Sequence, residues 1–533
     1  MKLPFSCRAL LAVGIAICAI ILFDNNLALF SFLGPIPHTV LERQATSLSG
    51  TYSQSLASYR TLPVFFESNN SLADVTAVVL NWARLPNVVR IVNVLCSDSL
   101  DSVIKEVVVW NNNNLRPLTY ADFVTCNCSP SRLRIHNSPE NLYFQARFIA
   151  CSSASTTYCF IQDDDYLIKP EVIHSLRARV HRHDVFVLPP SEVLSSRLLS
   201  IDSTKIHFEF SWLGYGALIL RDHAKAFLLL LRQLGASEEE SKMADNYYSI
   251  LKNSFPEIWI ANPIELFGGH AFTAGKEGIE RNRKHIAIAT EYLDAIVLND
   301  QVPSSLKQSP GDSEWPYVFM GATEVEHRLQ RSPCVNTSCV LESTIKSYPE
   351  TFATDTYATA GDIFRREAEL STVLTEHFSS HYIASPLSHA VDADPRTPFR
   401  SYWSAASGDM LVLDLFRGIQ QTKWTNVQWA WLVDTDTAQL LQTATYSTSS
   451  NEQVGMKVDS SSSVSCTPVS ILDMDSSSTI LECHIPMETS LDTRYLRLQL
   501  PEGKYVSQWC IYETWARALI EHPMLSTLFA NPS

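Results

Sequence analysis

The chain has 533 residues, of which 46% are hydrophobic, enough apolar material for more than one core and too much length for one ordinary domain. Its net charge is −15 and its pI is near 5.5. Lys and Arg fall in short scattered clusters, so the basic footprint of a nucleic-acid-binding protein is missing and nucleic acid is set aside as a partner.

Residues 1–33 read as a cytoplasmic tail and membrane anchor. Lys2 and Arg8 precede an uncharged run from Ala9 to Phe23, and a second apolar run spans Leu27 to Leu33. As a helix, the first run reaches about 22 Å, and the flanking apolar residues extend it toward the ~30 Å of a bilayer core. A cleaved signal peptide competes, but no small-x-small site stands clearly after the run, so an uncleaved signal anchor is preferred, with the basic end cytoplasmic. This predicts a single-pass type II protein of the Golgi or endoplasmic reticulum membrane with the rest of the chain in the lumen. Sequons at Asn69, Asn127 and Asn336 agree with that side of the membrane. So do ten cysteines beyond the anchor, which lack paired CxxC zinc spacing and point to disulfides; Cys334 with Cys339 is the most local pair.

Residues 34–73 are rich in Ser, Thr and Pro and suit a stem. A folded domain is expected over 74–300. Val75 to Trp82 reads as a buried strand, Pro86 opens a helix in which Val88, Val89, Ile91, Val92 and Leu95 share a face, and Val107 to Trp110 is the next strand. Strand, helix, strand is a βαβ unit and predicts parallel pairing. A further apolar strand, Tyr158 to Ile161, delivers Asp163, Asp164 and Asp165 to its carboxyl end, where open α/β sheets place their ligand crevices. Three adjacent carboxylates repel one another unless a cation or basic groups share the site, and hard divalent cations prefer such oxygens. A solvated acidic turn before the helix that starts near Pro170 is the alternative. Strands are also expected at 185–188, 217–220 and 258–261, and helices around 222–234, 241–252 and 276–293.

Taken together, Thr76 to Trp82 with Arg84, Val107 to Asn112, and Arg147 sixteen residues before the Asp triplet resemble the exostosin-type glycosyltransferases of family 64, over roughly Asp74 to Val297. The resemblance implies a GT-A fold, a nucleotide-diphospho-sugar transferase domain with a Rossmann-like mixed sheet. It implies a UDP-sugar donor held with Mn²⁺ or Mg²⁺, and α-linked transfer with retention to a glycan or glycoprotein acceptor. By the same likeness Asp165 and Asp163 are metal ligands, and Arg84, Asn111, Asn141, Arg147, Asp163, Asp164 and Arg281 line the nucleotide pocket. Asn141 is displaced by one residue from its counterpart. Asp245 and Arg283 are the catalytic candidates. The family carries an acidic pair where this chain has Asp245-Asn246. Phe210 to Ala217 resembles a segment facing the acceptor, and Gly268 to Lys276, with His270, resembles a loop that closes over the diphosphate.

Residues 301–388 read as a connector. Residues 389–516 have alternating Val, Leu and Trp patterns and resemble discoidin-like, galactose-binding β-sandwich domains, with 517–533 as a tail. Two rivals stay open: a carbohydrate-binding or scaffolding protein that has lost transferase activity, and an inverting transferase using Asp245 as base.

Overall fold

Val75–Asn81, the first strand (β1), is buried on both faces, as expected of a strand inside a parallel sheet. The computed structural model describes residues 73–180, 183–268, 275–298, 317–320, 329–349, 359–419, 424–449, 464–469, 478–486 and 493–520. The anchor, residues 34–72 of the stem, Asn69, His270 and, within the connector, residues 301–316, 321–328 and 350–358 lie outside them. Among the described residues no helix is long and apolar enough to cross a membrane.

Pro86 opens helix α1 (Leu85–Leu95), which packs on β1 and leads to β2 (Ile104–Asn111). Then come β3 (Leu133–Asn137), α2 (Gln145–Ser152), β4 (Tyr158–Gln162), β5 (Tyr166–Leu167), α3 (Pro170–Arg179), β6 (Val185–Leu188) and α4 (Pro190–Leu198). They are followed by β7 (Ile201–Asp202), β8 (His207–Phe208), β9 (Ala217–Leu220), α5 (Arg221–Gln233), α6 (Glu238–Lys242), α7 (Asp245–Leu251), β10 (Glu257–Ile260), β11 (Ile264–Glu265) and α8 (Gly275–Val297). The main sheet has the order β10-β6-β9-β4-β1-β2-β3. The pairs β1–β2, β1–β4, β2–β3 and β6–β10 are parallel, and β9 runs antiparallel between β4 and β6. The first half is thus a mixed, parallel-rich α/β domain.

The second half is built from β12 (Gln330–Pro333), β13 (Val340–Ser343), α9 (Ile363–Val373), α10 (Glu376–Ala384), β14 (Phe399–Ser404), β15 (Met410–Ile419), β16 (Trp424–Asp434), α11 (Thr435–Thr443), β17 (Thr445–Ser449), β18 (Ser465–Val469), β19 (Ser478–Pro486), β20 (Thr493–Gln499) and β21 (Gln508–Ile520). Two antiparallel five-stranded sheets, β12-β13-β15-β20-β17 and β14-β21-β16-β19-β18, carry apolar side chains of one shared core, among them the fully buried Trp429, Trp431 and Trp509. Strand β12 pairs with β13, and β13 pairs with β15, so part of the expected connector belongs to this β unit.

The two halves meet through buried charge. Arg179, at the end of α3, donates to Glu257 of β10 at 2.9 Å, Glu342 of β13 at 2.8 Å and Asp414 of β15 at 2.8 Å. Arg494 grips Asp414 through two bonds of 2.8 Å, and Arg331 bonds Glu342 at 3.1 Å. Three guanidinium groups face three carboxylates, so the cluster is balanced, the condition under which buried charge is tolerated.

Disulfides join Cys334 to Cys339, as the spacing suggests, and also Cys96 to Cys128, Cys151 to Cys159 and Cys466 to Cys483. Cys126 and Cys510 are free and buried. Asn127 and Asn336 are exposed.

Candidate functional site

Strand β1 lies between β2 on one side and β4 on the other, both parallel to it, so the crossover direction reverses between β1 and β4. At such a switch point the carboxyl ends of the two strands open a crevice. The register Val79↔Gln162 sets the end of β1, with Arg84 just beyond it, beside Asp163, Asp164 and Asp165. The Asp163 N–H donates to the Gly214 carbonyl at 2.9 Å. A Cβ on Gly214 would collide with the Asp163 carboxylate, so any larger residue there has to push that side chain aside.

Each carboxylate has a distinct setting. Arg147, buried in α2, donates from Nη2 to Asp163 Oδ1 and from Nη1 to Asp245 Oδ2, both at 2.7 Å, with its guanidinium over the Phe144 ring. Arg84 donates to Asp164 Oδ1 at 2.7 Å and lies 3.4 Å from Asp165 Oδ2; its Nε bonds the Gly268 carbonyl. Asn87 donates to the Asp164 carbonyl at 2.9 Å and to the Phe267 carbonyl at 2.8 Å. Phe267 has φ 53°, a left-handed backbone that L residues adopt only when neighbours hold them, and here Asn87 and Arg84 hold the two successive carbonyls. The β5–β11 pairing, with the Leu266 N–H on the Asp165 carbonyl at 2.8 Å, completes a small flap over the triplet.

Among Asp163, Asp164, Asp165, Asp245, Arg84 and Arg147 the formal charge is two units negative. Burial, together with the neighbouring Asp163 charge, pushes the Asp165 carboxyl up to about 7. Burial likewise pushes Asp245 up to about 7 against the pull of Arg147. Asp164 is raised by burial in spite of Arg84. Asp163 and Asp165 are the more open of the three, with side chains 27% and 31% exposed. No group of three His, Cys, Asp or Glu residues poised to hold a metal occurs among the described residues. Magnesium-like cations, however, are commonly held by one or two carboxylates with substrate phosphates supplying further oxygens. Asp163 and Asp165, the two more open carboxylates, are the side chains that could offer oxygens to such a cation.

Of the residues singled out by sequence, Arg84, Arg147, Asp163, Asp164, Asp165 and Asp245 come together here. Asp245 is 1% exposed and meets the cluster through Arg147. Asn111 is 0% exposed; it accepts from Asn81 at 2.7 Å and donates to the Arg116 carbonyl at 2.8 Å and to Asn137 at 2.9 Å. It ties Asn81, Arg116 and Asn137 together at the carboxyl ends of β1, β2 and β3. Asn141 accepts from the Tyr143 N–H at 2.8 Å and shapes a turn. Arg283 is exposed on α8 and donates to Glu367 at 3.3 Å, and Arg281, two residues before it, is half-buried. Sequence reasoning passed over Asn87, whose only signal is a polar residue in the first turn of an apolar helix, and the fit of Gly214 against Asp163.

No protein-family model and no curated protein matches the chain. Solved structures that match include a mannosyltransferase from Pyrobaculum calidifontis in complex with GDP-Man and Mn²⁺, at 14% identity and TM-score 0.25, over 52% of this chain and 91% of that one. Glucosyl-3-phosphoglycerate synthase from Mycobacterium tuberculosis, in complex with Mn²⁺, UDP and phosphoglyceric acid, matches at 12% identity and TM-score 0.26, over 42% and 78%. S. aureus TarS 1-349 with UDP-GlcNAc matches at 12% identity and TM-score 0.27, over 42% and 72%.

Proposed function

We propose that this chain is a metal-dependent glycosyltransferase, exostosin-like in kind, that moves a sugar from a UDP-sugar to a glycan or glycoprotein acceptor with retention of configuration. The observation that carries this is the placement of Asp163, Asp164 and Asp165 at the switch point between β1 and β4, with two open carboxylates and an uncompensated negative charge. In this reading Asp165 and Asp163 hold the cation. When bound, a divalent cation neutralises the charge that builds on a departing diphosphate.

The chain's own residues do the positioning. Arg147 fixes Asp163 from behind, and Asp245 keeps Arg147 charged and aimed. Asp164 anchors Arg84, whose planar fork suits a diphosphate at the crevice mouth. Burial of Asp245 behind Arg147 counts against the inverting alternative, which needs a base that reaches the acceptor hydroxyl. A lumenal setting behind an amino-terminal anchor is supported by four disulfides and two exposed sequon asparagines. The β half is read as a discoidin-like sandwich.

One observation favours the rival reading of an inactive carbohydrate-binding protein: Arg84 itself neutralises part of the triplet. Calorimetry separates the two. UDP is expected to bind in the presence of Mn²⁺, to lose binding in chelator, and to lose it again in Asp165→Ala. Absence of metal-dependent UDP binding by the unaltered chain would sink the transferase proposal. NMR of the product anomer tests retention.

A further inference from the structure

Apart from the acid triplet, one buried titratable side chain stands without a bonding partner. His207 opens β8 and is 0% exposed, and among the described residues neither its Nδ1 nor its Nε2 makes a hydrogen bond. A core histidine is ordinarily bonded through at least one nitrogen. Here the ring packs instead against Phe319, edge-on at 5.5 Å and 70°, and Phe255, at 6.0 Å and 44°. Asn253 holds the backbone around it: its Oδ1 accepts from the His207 N–H at 3.0 Å, and its Nδ2 donates to the Lys205 carbonyl at 2.9 Å and the Phe319 carbonyl at 2.8 Å. Residues 317–319 belong to the stretch between α8 and β12. They are tied down by the Tyr317 hydroxyl on the Tyr248 carbonyl at 2.6 Å and the Phe319 N–H on the Lys252 carbonyl at 2.8 Å. His207 and Asn253 therefore form part of the seat on which this connecting segment lies.

We propose that His207 is an acid-sensitive latch: its neutral ring seats residues 317–319 against the β7–β8 hairpin, and uptake of a proton by the ring releases that seat. A second proton makes both nitrogens donors and adds a charge, which is costly where no acceptor is in place. The charged groups nearby do not supply one. Asp202, paired with His207 across the hairpin, draws the imidazole upward, but burial outweighs it and the ring stays below the ordinary value of 6.5. Lys205 of the same hairpin is exposed, and Lys252, beside Asn253, is turned to Asp184 at 2.6 Å. Glu209, two residues on, is bonded to Arg197, and Glu257, two residues after Phe255, to Arg179. A histidine that is neutral when seated and free to charge when released gives stability that is complete above about 6.5 and is lost as pH falls from there toward the seated value. The opening equilibrium of the seat then grows roughly tenfold for each pH unit below 6.5. This latch is independent of the transferase reading.

The test is amide hydrogen exchange of the full chain at pH 7.5 and 5.5, corrected for intrinsic rates and read by mass spectrometry on peptides covering 203–210 and 317–320. Opening of both segments is expected to rise roughly tenfold at the lower pH, while peptides from β1 and β4 keep their protection. His207→Phe and His207→Leu, which have no proton to take up, are expected to hold the two segments equally well at both pH values. Equal protection of the unaltered chain at pH 7.5 and 5.5 would overturn the latch. So would an equal loss in β1 and β4, which makes the acid effect global, or an acid loss that persists in a folded replacement, which assigns it to other groups. Failure of both replacements to fold would show that the imidazole nitrogens are needed as bonding groups, and overturns it as well.

Discussion

Arg147 and Asp245 are 98 positions apart in sequence, yet Arg147 Nη1 lies 2.7 Å from Asp245 Oδ2, with both side chains almost completely buried. A buried ion pair adds little over apolar residues of the same shape, but removing one partner strands the other. Arg147→Met is expected to destabilise the fold by about 3–5 kcal/mol, measured by urea denaturation. The double variant Arg147→Met with Asp245→Leu should recover much of that loss. A double-variant loss equal to the sum of the losses of Arg147→Met and Asp245→Leu alone would show that the pair is not coupled.

Gly214→Ala tests how tightly the backbone packs against the site. The added Cβ, which would collide with the Asp163 carboxylate, has to displace that group. Metal-dependent UDP affinity is expected to fall by roughly tenfold or more, while the melting temperature drops by only a few degrees. A variant with normal UDP affinity would remove Asp163 from the cation site.

Arg84→Ala carries a prediction with two signs. Taking away the cation that shares Asp164 and Asp165 should strengthen Mn²⁺ binding by the free protein, read by electron paramagnetic resonance. It should weaken UDP binding, because the diphosphate loses its fork. The flap also loses the bond to the Gly268 carbonyl, so limited proteolysis near Phe267 should quicken. Weaker Mn²⁺ binding by the variant would contradict the charge account.

Arg179 ties α3 to both β10 and the sheet of the second half. Arg179→Met leaves Glu342 and Asp414 buried with less positive charge, and a loss of about 3–5 kcal/mol is expected. If the α/β half keeps UDP binding in urea after tryptophan signals of the β half are lost, the network is what couples the two unfolding transitions.

Acid sensitivity should come from Asp184, 1% exposed and bonded to His223 at 2.9 Å, Lys252 at 2.6 Å and Tyr248 at 2.8 Å. Burial alone would raise its carboxyl, but the facing His223 and Lys252 hold it well below the ordinary value of 3.8. A carboxylate depressed in the folded state gives stability that is present above its unfolded value and is lost as pH falls toward the folded one. Melting temperature is therefore expected to decline as pH falls below about 4. Asp184→Asn should be less stable at pH 7 and flatter below pH 4; an unchanged acid slope would assign the loss to other groups.

Much of the first half was legible because its physics is local. The apolar runs of β1 and β4 are buried on both faces, Pro86 marks a helix start, and a strand ending in three aspartates points to a crevice. The direction of β9 was not legible, since a short fully buried strand has the same composition whichever way it runs. Strand β3, exposed along most of its length, gave too weak an apolar signal. Cys334 with Cys339 could be paired from spacing, whereas Cys96 with Cys128 depends on where two loops meet.

Sequence alone determined the acidic triplet, the strand that delivers it and the change to β character in the second half, while Arg84, Arg147 and Asp245 entered through the family resemblance. Tertiary structure decided which charge faces which: Arg147 between Asp163 and Asp245, Arg84 across Asp164 and Asp165, Asn111 joining Asn81 to neighbouring strand ends, and Glu192 accepting from Tyr215. The reason is reach. Periodicity and turn chemistry act over a few residues along the chain, while a carboxylate's partner, its burial and its affinity for protons or cations are set by groups brought within a few ångströms from anywhere in the fold.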